Sequence, residues 1–131
     1  MRAALVALML MFGSQAGAEN VLYCSTEANL ATGFSKQDGQ WRTYKFPDKR
    51  FSLKEIGNFS SIEIEDDMFS CQRPSKDFQP DGITCHSKAG YTFHYDQRTK
   101  KFIYISCSIF SYTHPTFTDT CIIYAGSCED F

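Results

Sequence analysis

This sequence contains no apolar run that approaches the roughly twenty residues a helix needs to span a bilayer. We therefore expect no membrane insertion. Its basic residues are scattered, and the formal net charge is −2. Because a phosphate backbone is bound by a dense basic stripe, which the sequence lacks, we expect no nucleic-acid partner.

Sequence motifs typical of metal-binding and catalytic sites are also missing. There is no C-x-x-C pair, and His86, His94 and His114 do not fall at zinc-ligand spacing beside the cysteines. There is no G-x-S-x-G motif to present a nucleophile. Glu63 and Glu65 alternate with isoleucines, so we expect both carboxylates on the solvent side of one strand. The sequence predicts a non-enzymatic protein without metal or cofactor.

The N-terminus has the layout of a secretory signal peptide. Arg2 precedes an apolar run at residues 3–12, and a small-residue stretch at 13–18 ends in Ala18. Cleavage after Ala18 would leave residues 19–131, which is enough for a single domain with one modest core. We expect a soluble protein that is secreted or periplasmic.

Six cysteines in an exported chain predict three disulfides, because the compartment is oxidising and a small core gains from cross-links. Two pairs share the same spacing, and in both the intervening residues read as strand, polar or proline-bearing connection, strand. The remaining two cysteines lie in the first and last strands of the mature chain. The expected bridges are Cys24 to Cys128, Cys71 to Cys85 and Cys107 to Cys121, each contributing about 2 to 4 kcal/mol.

Apolar and polar residues alternate with a period of two along most of the chain, as in half-buried strands. Proline and glycine turns separate the runs, and the best helix candidate, at residues 26–32, is short. The pattern predicts an all-β fold, a small antiparallel meander barrel of about eight strands, with a β-sandwich as the alternative. The expected strands are 21–25, 41–46, 51–56, 60–65, 68–72, 83–87, 90–95, 101–109 and 120–127.

Strand parity links the last two strands in particular. Ile103, Ile105 and Cys107 share one face, and the corresponding face of the next strand carries Cys121, Ile123 and Ala125. We expect these two apolar stripes to meet.

The segment between Cys107 and Cys121 is the strongest candidate for recognition. It carries Phe110, Tyr112, His114 and Phe117 among serines, threonines and a proline. A loop fixed at both ends by a disulfide loses little entropy on binding, so it suits contact with a protein partner. The alternative is that these aromatic residues fold back onto the mouth of the barrel.

A second candidate site involves Trp41, the single tryptophan. Gly39-Gln40-Trp41 has the G-x-W form that opens the first strand of lipocalins, where the tryptophan closes the barrel floor. The alternative is an ordinary core anchor. A lipocalin-like protein would carry a small apolar ligand inside the barrel.

The sequence carries several short motifs, namely Tyr23-Cys24, Cys71-Gln72-Arg73-Pro74, Gly90-Tyr91-Thr92-Phe93, Thr99-Lys100-Lys101-Phe102, Asp119-Thr120 and Tyr124-Ala125-Gly126-Ser127-Cys128-Glu129-Asp130-Phe131. With these motifs the chain resembles a family of small exported proteins of uncharacterised function from alphaproteobacteria. The family implies a cysteine-containing β domain and no activity, and Cys107 with Cys121 departs from its pattern. In size and terminal cysteines the chain is also similar to the small β-barrel inhibitors of C-type lysozyme, but it lacks their Ser-Gly loop motif.

Overall fold

The computed structural model describes residues 20–37, 40–74, 76–107 and 120–130. The predicted signal peptide lies outside these residues. In this part of the chain the regular structure is entirely strand, as the period-two alternation predicted. The strands are β1 (Asn20–Gln37), β2 (Gln40–Lys45), β3 (Arg50–Ile56), β4 (Ser61–Ile64), β5 (Asp67–Gln72), β6 (Gly82–Ser87), β7 (Thr92–Asp96), β8 (Lys101–Ser106) and β9 (Thr120–Asp130).

Eight of these strands form a closed antiparallel barrel. Sequential neighbours pair from β3 to β9, β1 pairs with β3, and the pairing of β1 with β9 closes the ring. The extra strand, β2, lies outside the ring and pairs with the second half of β1. The predicted barrel is confirmed, and the sandwich alternative is not adopted.

The helix candidate at residues 26–32 was wrong, because these residues belong to β1. Thr26 pairs with Gly126 and Ala31 pairs with Tyr124, so residues 27–30 bulge out opposite a single residue of β9. Asn29 within the bulge has a positive φ of 65°. A bulge breaks the two-residue period, so the strand signal is lost over this segment.

Alternate residues of each strand fill the barrel. In β3, for example, Phe51, Leu53 and Glu55 are buried, while the residues between them are exposed. The ring of Phe51 lies 5.3 Å from that of Phe102, 5.7 Å from that of Tyr104 and 6.2 Å from that of Phe93, measured between centroids. These contacts place a closely packed aromatic cluster at the centre of the core.

All three predicted disulfide pairings are present. Two of them join directly opposed residues of neighbouring strands and face the core, namely Cys24–Cys128 across the β1–β9 closure and Cys71–Cys85 across β5 and β6. The third, Cys107–Cys121, joins the residue after β8 to β9. The three disulfides therefore link β1 to β9, β5 to β6, and the end of β8 to β9.

Two glycines let β1 and β9 approach each other closely. A Cβ at Gly126 would lie 2.0 Å from the carbonyl oxygen of Ser25, and one at Gly33 would lie 2.0 Å from that of Cys121. These glycines lie on either side of the bulge. The closure of the barrel therefore requires residues without a side chain at both positions.

Candidate functional site

The outer face of β8 and β9 is unusually apolar for a solvent-facing surface. Ile103 pairs with Ala125, and Ile105 pairs with Ile123, so the two predicted stripes do meet. They meet on the outside of the barrel, because Phe102 and Tyr104 occupy the core-facing positions of β8. Ile103 is 46% exposed and Ile123 is 42% exposed.

The same outer face continues across β1 and β2. Phe34 in β1 pairs with Cys121 of β9 on one side and with Thr43 of β2 on the other. Its ring makes an edge contact with Trp41, with 5.1 Å between centroids, and both side chains are 37% exposed. We refer to Phe34, Trp41, Ile103 and Ile123 as the outer apolar strip.

The outer apolar strip spans four neighbouring strands. Single exposed apolar side chains are common on any protein surface, but a continuous group of large ones marks a contact surface. Aromatic residues in such groups contribute large buried areas to interfaces at low entropic cost. The strip is therefore the best candidate binding surface among the described residues.

The residues predicted for binding have different outcomes. Trp41 lies in β2, outside the ring of eight strands, and not at the barrel floor where a lipocalin places its tryptophan. Phe110, Tyr112, His114 and Phe117 lie outside the described residues, so their role in recognition stays a prediction.

Sequence reasoning missed Phe34 and did not identify the isoleucines as a surface. One signal was available: residues 102–105 of β8 are apolar at every position. Such a strand has apolar side chains on both of its faces, and only one face can point into the core.

The described residues also line open clefts on the barrel surface. One of them, of about 370 Å³, lies beside Tyr23, Arg50, Ser52 and Glu129. A second, of about 260 Å³, is lined by polar and apolar residues of β6 to β8. A third, of about 280 Å³, lies near Glu55. These volumes are at or below the lower end of the range for small-molecule sites, about 300 to 1,000 Å³.

Glu55, Glu63 and Glu65 have structural partners. Buried Glu55 accepts hydrogen bonds from the backbone N–H of Phe59 at 2.8 Å and from the side-chain amide of Asn20 at 3.2 Å. Glu63 pairs with Lys54 at 3.8 Å. Glu65 lies past the end of β4, with a φ of 51°, and pairs with Lys49 at 3.0 Å. The expectation that Glu63 and Glu65 share one strand face was wrong, because the chain turns at Glu65.

Two histidines lie on the outer face of β6 and β7. The Nδ1 of His94 lies 3.0 Å from the hydroxyl of Thr84, and that of His86 lies 3.3 Å from the hydroxyl of Thr92. Partial burial, and secondarily the charge of His86, lower the pKa of His94. Within the described ranges, no group of three or more His, Cys, Asp or Glu residues could hold a metal ion.

The fold and surface together define a class: a small disulfide-linked antiparallel β-barrel with an added edge strand and an apolar outer strip. Searches against protein-family models, curated proteins and solved structures found no match. The resemblance to the alphaproteobacterial family therefore stays a prediction. The described residues contain no helix that is long and apolar enough to cross a membrane.

Proposed function

We propose that this protein is an exported, non-enzymatic binding module, an inhibitor or accessory protein that holds a protein partner through the outer apolar strip. The observation that carries the proposal is the position of four large apolar side chains on the outside of a barrel whose described core-facing residues already pack against one another inside. Exposure of such a group to water is unfavourable unless a partner covers it.

Export is supported by the three disulfides. All six cysteines are paired, which is consistent with an oxidising environment such as the periplasm or the extracellular space. Together with the signal-like N-terminus, this supports a secreted or periplasmic location. Disulfides also keep the strip rigid, which reduces the entropy lost on binding.

The alternative function is a lipocalin-like carrier of a small apolar ligand. A carrier needs space inside the barrel, whereas Phe51, Phe93 and Phe102 contact one another there. The packed interior favours the binding module. Titration of the Trp41 fluorescence with a panel of lipids and aromatic compounds tests the carrier, because a bound ligand would change this single emission.

Site-specific photo-crosslinking tests the proposed function. A benzophenone side chain at Ile103 should crosslink a partner protein in the exported fraction of the source cells. The matched control is Met68, which is 51% exposed on β5, the strand opposite β9 in the ring. A product at Ile103 that is lost in the Phe34→Ser variant, with none at Met68, supports the proposal. Equal products at both positions, or none at either, would overturn it.

A further inference from the structure

Strand β2 offers a backbone edge that the closed barrel otherwise removes. Within the ring every strand has two neighbours, but β2 has only β1 beside it among the described strands. A strand with one neighbour presents N–H and C=O groups along its other side, where a further strand can pair. The sequence of β2, with tryptophan, threonine and tyrosine, also favours extended structure.

The alternation of backbone hydrogen bonds in the β1–β2 pair shows which backbone groups of β2 point away from β1. The backbone N–H of Phe46 donates to the carbonyl of Ala31 at 2.9 Å, in line with the β1–β2 register. In an antiparallel pair, residues bonded to the neighbour alternate with residues whose backbone groups point away. Tyr44 therefore bonds toward β1, whereas Thr43 and Lys45 direct their N–H and C=O groups away from it.

The charge of this edge is one-sided. Arg42 and Lys45 are exposed and have no ion pair among the described residues. Between Thr32 and Lys45 the sequence has three basic residues and one acidic residue, Asp38. Cations on both faces of a strand attract an acidic strand beside it.

We propose that β2 binds an extended acidic segment of the partner protein, which adds to the sheet as a further strand. This inference rests on the proposed function and names the chemistry of its partner. Thr43 and Lys45 supply the backbone hydrogen bonds, Arg42 and Lys45 pair with carboxylates, and apolar residues of the segment on the outer side lie beside the outer apolar strip.

A second copy of this chain fits the edge poorly. Two β2 strands placed side by side would bring Arg42 and Lys45 of one copy near the same cations of the other. Like charges across neighbouring strands are destabilising, and basic residues at an edge commonly prevent self-pairing. The charge therefore favours an acidic partner over a homodimer.

The test is a titration of the full oxidised chain, labelled with ¹⁵N, against a synthetic nonapeptide, Glu-Glu-Thr-Val-Thr-Val-Thr-Glu-Glu, which carries carboxylates on both strand faces and valines on one. We expect amide shift changes at Thr43 and Lys45, with binding about tenfold weaker for the peptide in which lysine replaces every glutamate. Equal binding of the two peptides, or no shift at β2, would overturn the inference. Peptide-free shifts at these amides that depend on protein concentration would indicate a second copy instead and would also overturn it.

Two variants separate backbone pairing from charge. Thr43→Pro removes one outward N–H but leaves the bonds to β1 intact, and we expect about a tenfold loss of peptide affinity. Thr43→Val keeps the N–H and should bind as the native chain does. Arg42→Glu with Lys45→Glu should reverse the peptide preference even if the proline variant folds poorly. An unchanged preference contradicts the proposal.

The test of strand addition at β2 and the test of the proposed function can fail independently. Crosslinking at Ile103 that continues in the Thr43→Pro and charge-reversed variants would leave the binding module standing and overturn strand addition alone. If the benzophenone at Ile103 forms no crosslink in the otherwise native protein, the proposed function is overturned, whatever the result of the peptide titration.

Discussion

The ammonium of Lys49 lies 5.4 Å from the ring centroid of Tyr104, at one end of the aromatic core. The same ammonium lies 5.6 Å from the ring of Tyr124 and pairs with Glu65 at 3.0 Å. The backbone of Lys49 is fixed to β1 because its N–H donates to the Thr26 hydroxyl, and its carbonyl accepts from the N–H and hydroxyl of Thr26. A positive charge is thereby held against two tyrosine faces.

Replacing this lysine should destabilise the barrel. Lys49→Met keeps the apolar stem but loses the contacts with both rings and with Glu65, so we expect a loss of about 1 kcal/mol in the free energy of unfolding. Urea denaturation measures the loss. The control is Lys54→Met, which breaks only the solvent-exposed pair with Glu63 and should cost less than about 0.5 kcal/mol. Equal losses would contradict a role for the tyrosine rings.

Removal of the Cys24–Cys128 disulfide, which joins β1 to β9, should lower the free energy of unfolding more than removal of Cys71–Cys85. Cys24–Cys128 joins residues 104 positions apart, whereas Cys71–Cys85 spans 14. A cross-link over the longer loop restricts the unfolded chain more, so the double alanine variant at Cys24 and Cys128 should lose about 1 to 2 kcal/mol more stability. Denaturation of both variants without reductant tests the difference, and the reverse order would show that local strain or packing dominates.

A side chain at the β1–β9 closure should be poorly tolerated. In Gly126→Ala the new Cβ would meet backbone atoms of Ser25 and Thr26, which cannot move without shifting β1. We expect a loss of about 2 to 3 kcal/mol in unfolding free energy. Gly82→Ala is the comparison, since its new Cβ would come no nearer than 2.9 Å to any atom, the Cβ of Gln79, against 2.0 Å at Gly126. Thermal denaturation should show a smaller shift for Gly82→Ala, and equal melting temperatures would contradict the steric argument.

The lowered pKa of His94 should make stability depend on pH. The folded state disfavours the protonated imidazole, so the unfolded chain binds more protons, and stability falls as the pH drops below about 6.5 toward the folded-state pKa. NMR titration should place the pKa of His94 below its ordinary value, and His86→Gln should raise it. In His94→Gln, urea denaturation at pH 7.5 and pH 5 should show a smaller difference than in the native chain. A pKa above 6.5 would refute the assignment.

Much of the fold could be predicted from the sequence because its signals are local. Alternation along residues 51–56 and 91–95 reflects strands with one buried face, and the cysteine positions agree with the pairings across β5–β6 and β1–β9. The full extent of β1 could not be predicted. Its bulge at residues 27–30 depends on close contact with β9 at Gly126, a partner far away in the sequence.

The candidate site was harder to predict than the fold. Parity correctly groups Ile103 with Ile105, but both faces of β8 are apolar, so parity does not show which face points to the core. The larger rings of Phe102 and Tyr104 occupy the interior and leave the isoleucines outside. Phe34 and Trp41 contact each other within the β1–β2 hairpin, but their place on the outer face next to β9 depends on the pairing of β1 with β9, which is far away in the sequence.

The pairing of β1 with β9 has a consequence for the order of folding. Local hairpins such as β6–β7 and β7–β8 can form as soon as their residues are available, but closure must wait for β9, which follows all the other described strands. Contacts between such distant parts of a chain form slowly. During folding, the barrel therefore remains an open sheet with two unpaired edges until its last strand pairs. Cys24 and Cys128 lie on the two strands that pair last, so their thiols stay apart and open to solvent until the barrel closes.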